Sequence, residues 1–257
     1  MFVRNNGQSH HVLVAGDRSR PAIVLLHSLG SSGLIWGPQI ADLSADHLVI
    51  CPDLRGHGLT PPSTVPVTID LLASDIVGML DALGIDRFRL AGLSIGGMVA
   101  QAVAARCAGR VGGMAIFDSS IASLDPPMWR ARADKIRNEG LDSIAKSVLS
   151  RWVTPEDMAT PETAGLARML AQTQDEGYAA GCDALAVADC RMGSAALAIP
   201  VVVAVGEFDT ATPLAASEML ASSIPDARLR IVRGAAHIPT LHQADQVIGI
   251  LRDMLAL

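Results

Sequence analysis

Leu90-Ala91-Gly92-Leu93-Ser94-Ile95-Gly96-Gly97-Met98 decides the reading of this chain. It carries Gly92-x-Ser94-x-Gly96 between the apolar run Phe88–Leu93, which predicts a strand, and the glycine-opened run Ile95–Arg106, which predicts a helix. A side chain on so sharp a strand-to-helix turn sits on strained backbone, and the flanking glycines leave space for it. The pattern presents the Ser94 hydroxyl above a sheet edge. The following helix then points its N-terminus at any negative charge that forms there. A tight turn with an incidental serine would have the same five residues. What favours a nucleophile is that strand and helix fall on the two sides where presentation requires them.

Working outward, short β-rich runs alternate with helical stretches. Strands are predicted at Ala22–His27, His47–Pro52, Phe88–Leu93, Gly113–Asp118, Val201–Gly206 and Arg228–Val232, with an earlier one at His11–Ala15. Several are continuous apolar runs, as strands buried on both faces should be. Helices are predicted at Ile69–Leu83, Ile95–Arg106, Leu214–Ser222 and Leu241–Leu255. Residues 119–199 break the rhythm. Leu141, Ile144, Ala145, Val148 and Leu149 keep the spacing of one apolar helix face, and Thr160-Pro161-Glu162 reads as a helix start. The expectation is an α/β fold, a mostly parallel central sheet flanked by helices. Residues 1–118 and 200–257 would form its core and 119–199 a helical cap insertion.

Bulk properties narrow the function. The chain has 257 residues, is 50% hydrophobic, and carries 20 basic against 26 acidic side chains, a net charge of −6. It is long enough for a full core, too apolar for disorder and too acidic to coat nucleic acid. The most promising uncharged stretch for a membrane span, Leu90–Ala105, contains Ser94, Gln101 and three glycines, so it reads as a buried element. The first residues turn polar at once, against a secretory signal. Cys51, Cys107, Cys182 and Cys190 show no metal-ligand spacing and read as free thiols of a reducing compartment, so a cytoplasmic location and no metal are expected.

A serine hydroxyl needs a base. Among seven histidines, His237 lies just past the last predicted strand, on the rim where Ser94 should emerge. His27 and His57, in His27-Ser28-Leu29-Gly30 and Arg55-Gly56-His57-Gly58, read as loop-shaping. The acid that orients the base has two candidates. Asp209 follows the strand Val201–Gly206 and gives the chain order Ser94, Asp209, His237, which favours it. Asp118 ends the strand before residue 119 and could also reach the rim. An oxyanion requires fixed N–H donors, expected from Ile95, directly after the nucleophile, and from Leu29 in the loop after Ala22–His27.

Assembled, these stretches resemble the α/β-hydrolase superfamily over essentially the whole chain, and within it most closely the 3-oxoadipate enol-lactonases. The closer likeness rests on His27-Ser28-Leu29-Gly30-Ser31, Asp53-Leu54-Arg55-Gly56-His57-Gly58 and the Ser94 stretch. Residues 119–199 add Trp129 with Arg132, Lys135, Arg137 and Gly140, then Arg151-Trp152-Val153-Thr154, Glu176-Gly177-Tyr178-Ala179 with Cys182, and Ala188-Asp189-Cys190-Arg191. Ile95 stands where Met is frequent, and Thr60 where Ser often closes the Arg-Gly-His-Gly loop. The resemblance implies hydrolysis of a small anionic enol-lactone to 3-oxoadipate in aromatic catabolism, with Trp129, Arg132 and Trp152 as substrate contacts. No cofactor is implied, and the partner is a small anionic lactone or ester. The assembly expected is a monomer or small homo-oligomer.

Residues 125–151 hold six basic and four acidic side chains, a net of +2, whereas 152–199 hold two and seven, a net of −5. Positive charge gathers where it could attract a carboxylate. Trp129 and Arg132 are three apart, on one helix face, and an apolar wall beside a guanidinium suits a small ring bearing a carboxylate. An ordinary solvated face with a core Trp is the alternative. Other functions left open are a general carboxylesterase or another lactonase with the same three residues. A non-catalytic binding protein of this fold would usually lack one of the three, and all are present. Dehalogenases and epoxide hydrolases of the fold use Asp as nucleophile, so Ser94 counts against them.

Overall fold

The computed structural model describes residues 1–107 and 109–257. Strands β1 (Phe2–Asn5) and β2 (Gln8–Ala15) form an antiparallel hairpin turned at Asn6-Gly7, both at positive φ. Six strands follow: β3 (Ala22–Leu26), β4 (Leu48–Pro52), β5 (Phe88–Leu93), β6 (Val111–Phe117), β7 (Val201–Gly206) and β8 (Arg228–Val232). They pair parallel in one eight-stranded sheet of order β1-β2-β4-β3-β5-β6-β7-β8, and β2 joins β4 antiparallel. Strands β3, β4 and β7 are buried at every position, which is why they read as unbroken apolar runs.

Helices α1 (Gly37–Leu43), α2 (Ile69–Ala82) and α3 (Ile95–Arg106) connect the strands up to β6. Between β6 and β7 lie α4 (Pro126–Glu139), α5 (Ala145–Trp152), α6 (Pro161–Gln172), α7 (Asp175–Ala186) and α8 (Arg191–Ala195). Helices α9 (Leu214–Ser222), α10 (Pro239–His242) and α11 (Ala244–Leu255) complete the chain. The chain moves from β3 outward to β4 in one direction and to β5 in the other. The crevice at the carboxyl ends of β3 and β5 is therefore the topological switch point, where open α/β sheets bind ligands. Among the described residues no helix is long and apolar enough to cross a membrane.

The sequence expectation holds for the parallel core and shifts at its edges. Strand β6 starts at Val111 and ends at Phe117, so Asp118 lies past its end. The helix expected over Leu241–Leu255 is two, because Gln243 adopts φ −118°, ψ 40° between them. The apolar face from Leu141 to Leu149 spans a single 3₁₀ turn, Leu141–Ser143, and then α5. Thr160 caps α6 by accepting the Thr163 N–H, with Pro161 at the first helical position, as the sequence indicates. The interval between β6 and β7 is tied to the core by polar contacts. Ser194 Oγ donates to Gln101 Oε1 at 2.9 Å, and Gln101 Nε2 donates to the Gly97 and Ser120 carbonyls, both at 3.1 Å.

Candidate active site

Ser94 occupies the junction of β5 and α3 at φ 58°, ψ −120°. A non-glycine residue held there costs on the order of 1–3 kcal/mol and persists only when its surroundings fix it. They do. The Ser94 N–H donates to the Phe117 carbonyl at 2.9 Å, and its own carbonyl accepts from Gly97 N–H at 2.9 Å and Ser119 Oγ at 2.7 Å. Gly92 and Gly96 make the turn possible by lacking side chains. A Cβ on Gly92 would collide with the Gly96 carbonyl oxygen, and one on Gly96 would lie 2.5 Å from the Leu26 carbonyl oxygen.

His237 follows β8, and Asp209 follows β7. The parallel pairing of Gly206 with Val232 brings their loops to the same end of the sheet. His237 Nδ1 lies 2.9 Å from Asp209 Oδ2. The Asp209 carboxylate also accepts from Thr212 Oγ1 at 2.7 Å, Ala211 N–H at 2.7 Å and Thr212 N–H at 3.2 Å. Burial pushes this carboxyl up, but the His237 charge, its hydrogen bond and those of Thr212 and Ala211 outweigh burial. Asp209 therefore sits below the usual carboxylate range. An ionised acceptor on Nδ1 fixes the proton there and leaves Nε2 as the basic nitrogen. No hydrogen bond joins Ser94 Oγ to His237 among the described residues, though both line one cavity. Unliganded sites commonly close that contact only with substrate.

Asp118, the second candidate acid, is fully buried at φ 45°. Its Oδ1 accepts the Gly206 N–H at 2.7 Å, while Oδ2 has no partner. A carboxylate oxygen of Asp118, one of Asp209 and a ring nitrogen of His237 all lie within 4.8 Å of one another. Asp209, not Asp118, makes the hydrogen bond to the imidazole.

His27 and His57 shape loops. Nε2 of His27 accepts the Leu54 N–H at 2.9 Å, so Nδ1 carries the proton and donates to the Ser28 carbonyl at 2.7 Å. Burial holds this imidazole neutral, its pKa lowered. His57 is pushed down to about 3, by burial first and then by His27. Leu29 is thereby carried on a loop pinned from below. Neither the Leu29 nor the Ile95 N–H finds a protein acceptor among the described residues, and both residues line the cavity.

That cavity measures about 430 Å³. The core lines it with Leu29, Ser94, Ile95 and His237, and residues 119–199 with Trp129, Arg132, Arg151, Trp152 and Tyr178 among others. The Arg132 guanidinium carbon sits 4.8 Å from the Trp129 ring centroid, a cation–π contact that fixes the pair as one unit. Burial pushes the Tyr178 hydroxyl up, against a smaller opposing pull from Arg132 and Arg151. Arg137 is committed to Glu176 and Asp183 and, like Arg130, does not line the cavity. The end of α5 reaches the loop that carries His237. His237 N–H donates to the Arg151 carbonyl at 3.3 Å and Ile238 N–H to the Trp152 carbonyl at 2.9 Å.

The sequence profile of the Alpha/beta hydrolase family matches residues 23–250. The chain belongs to that family. Among curated α/β hydrolases it is 35% identical over 232 residues to 3-oxoadipate enol-lactonase 2 of Acinetobacter baylyi, covering 89% of this chain and 86% of the relative. Enol-lactonase 1 of the same organism is 30% identical over 254 residues, with 97% and 94% covered. The crystal structure of the enol-lactonase from Burkholderia xenovorans LB400 superposes with a TM-score of 0.96 at 34% identity, over 100% of both chains. The α/β-hydrolase fold expected from Gly92-x-Ser94-x-Gly96 is thus the fold found.

Three contributions escape the sequence reading. Ser119 supports the Ser94 carbonyl, Thr212 holds Asp209, and Arg151, singled out only within the Arg151-Trp152 stretch, accepts the His237 N–H through its main chain. Thr212 stands three residues after an acid in a turn, a pattern open to detection. The other two depend on strand register and helix placement, which no local signal encodes.

Proposed function

We propose that this α/β hydrolase is a serine hydrolase that opens a small anionic enol-lactone of the 3-oxoadipate type, as a step in aromatic-compound breakdown. The observation that carries the reading is Ser94, on strained backbone at the N-terminus of α3, sharing a cavity with a histidine already oriented by Asp209. Ser94 Oγ attacks the lactone carbonyl while His237 Nε2 takes its proton. The imidazolium so formed is stabilised by Asp209. Charge on the carbonyl oxygen is met by the Leu29 and Ile95 N–H groups and the start of α3. As the ring C–O bond breaks, the imidazolium gives its proton to the departing enol oxygen, which stays tethered to the acyl chain; an enol is a better leaving group than an alkanol, and its conversion to the ketone makes the step effectively irreversible. Water activated by His237 then cleaves the acyl-enzyme.

The helices of residues 119–199 act as the cap over this chemistry. Arg132, stacked on Trp129, receives the substrate carboxylate, and Trp152 completes the apolar wall. The names and identities of the enol-lactonase relatives support this substrate class. The test is purified protein assayed on 3-oxoadipate enol-lactone beside a panel of neutral esters and other lactones, with Ser94→Ala as control. Preference for the anionic enol-lactone, abolished in Ser94→Ala, is expected. Equal or better turnover of neutral esters would make the protein a general carboxylesterase, and an active Ser94→Ala enzyme would remove the serine mechanism.

A further inference from the structure

Two carboxyl groups lie beside His237, and only one carries the hydrogen bonds of an ion. Asp209 accepts from His237, Thr212 Oγ1 and two backbone N–H groups. Asp118 has one donor, the Gly206 N–H on Oδ1, and its Oδ2 is fully enclosed without a partner. Asp209 and His237 are the titratable groups facing it, all three within 4.8 Å. An ionised Asp118 would put an unpaired charge out of water and against a second carboxylate, a combination that buried sites resolve by keeping one proton on the pair. With the charge pinned on Asp209, that proton belongs on Asp118 Oδ2, where it supplies the missing hydrogen bond.

Resting on the assignment of Ser94, Asp209 and His237 made above, we propose that Asp118 is a positioning residue that works as a neutral acid, donating its carboxyl proton to the Asp209 carboxylate and holding it against His237. It touches neither substrate nor the reacting atoms. Nothing is transferred: the proton stays on Asp118 through the cycle while Asp209 keeps the charge that stabilises the imidazolium. The roles of the two Oδ atoms match an amide. In Asp118→Asn the Oδ1 atom still accepts from Gly206, and the Nδ2 atom donates where the hydroxyl did, whereas Asp118→Ala loses both.

The readouts are infrared and kinetic. Wild-type protein at neutral pH is expected to show the C=O stretch of a buried neutral carboxyl, lost in the Asp118→Asn difference spectrum. A wild-type protein without that band overturns the proposal, whether or not Asp118→Ala folds. On the enol-lactone, Asp118→Ala is expected to lose roughly tenfold in kcat at unchanged KM, the effect of one hydrogen bond to a charged group, and Asp118→Asn to recover most of it. Wild-type kcat in Asp118→Ala, or an Asp118→Asn enzyme no better than Asp118→Ala, overturns it too. An Asp209→Asn enzyme of wild-type kcat instead fails the underlying assignment. That failure is distinguishable because the neutral-carboxyl band persists in the wild type.

Discussion

Replacing Arg132 with Ala tests the substrate class directly. Arg132 lines the cavity, is half-buried and stacks 4.8 Å from the Trp129 centroid, so its guanidinium is held in place before substrate arrives. The other basic side chains of α4 are paired or lie outside the cavity. Lys135 pairs with Glu139, Arg137 with Glu176 and Asp183, and Arg130 is exposed outside the cavity. A hydrogen bond to a charged group is worth about 1.5–3 kcal/mol, so losing it lowers kcat/KM for the anionic lactone roughly ten- to a hundredfold. A neutral ester of similar size does not use the contact. Its rate should change little, since the lost cation–π contact, on the order of 0.5–1 kcal/mol at a half-exposed site, affects stability and not chemistry. The assay is the ratio of the two kcat/KM values in wild type and variant. If both substrates fall by the same factor, Arg132 is structural, and Arg151, the other guanidinium lining the cavity, becomes the place to look for the carboxylate.

Asp209→Asn should cost kcat a factor of order 10⁴, as loss of the acid does in the best-studied triad, and far more than Asp118→Asn; reversed sensitivities would exchange the two roles. Gly96→Ala drives a Cβ to 2.5 Å from the Leu26 carbonyl oxygen, and because backbone cannot yield, the cost should reach at least the upper part of the ~1–3 kcal/mol of overpacking. In a chain of this size that is a melting point lower by about 6–12 °C, and an unchanged melt would mean that the backbone around Gly96 yields. The Asp118 carboxyl is raised well above its ordinary 3.8, by burial first and by Asp209 second. Between that value and its folded pKa the folded state binds the extra proton, so wild-type stability falls as pH rises. Asp118→Asn lacks this loss, so its advantage over wild type should grow with pH above about 4, by up to roughly 1.4 kcal/mol per pH unit. Denaturant titrations across that range check it, and parallel curves would show that Asp118 does not hold a proton.

Much of the core was legible because burial on both faces writes itself into composition. Ala22–Leu26 and Val201–Gly206 contain nothing that water would favour, and their bounds were readable to within a residue. Strand β1 was not, since Phe2-Val3-Arg4-Asn5 is a half-exposed edge with a single buried side chain. Its one usable mark was Asn6-Gly7, a dipeptide suited to a tight hairpin. Helix α1 was missed although Gly37-Pro38 offers a helix-start signal. At the site, chain order suggested Asp209 before His237, but the 2.9 Å between them comes from the parallel pairing of β7 with β8. The closeness of Asp118 to Asp209 comes from the pairing of β6 with β7, a relation across 91 residues of sequence that only the assembled sheet expresses.

The two main-chain hydrogen bonds from His237 and Ile238 to the carbonyls of Arg151 and Trp152 limit how this enzyme can be rebuilt. Selectivity and proton transfer are usually treated as separable modules, one grafted onto the other. Here the last turn of α5 serves as the seat of the histidine loop, so a transplanted 119–199 interval that ends α5 one residue early would leave His237 without that support. For the same reason, lifting α5 away from the sheet would break both hydrogen bonds to the loop that carries His237.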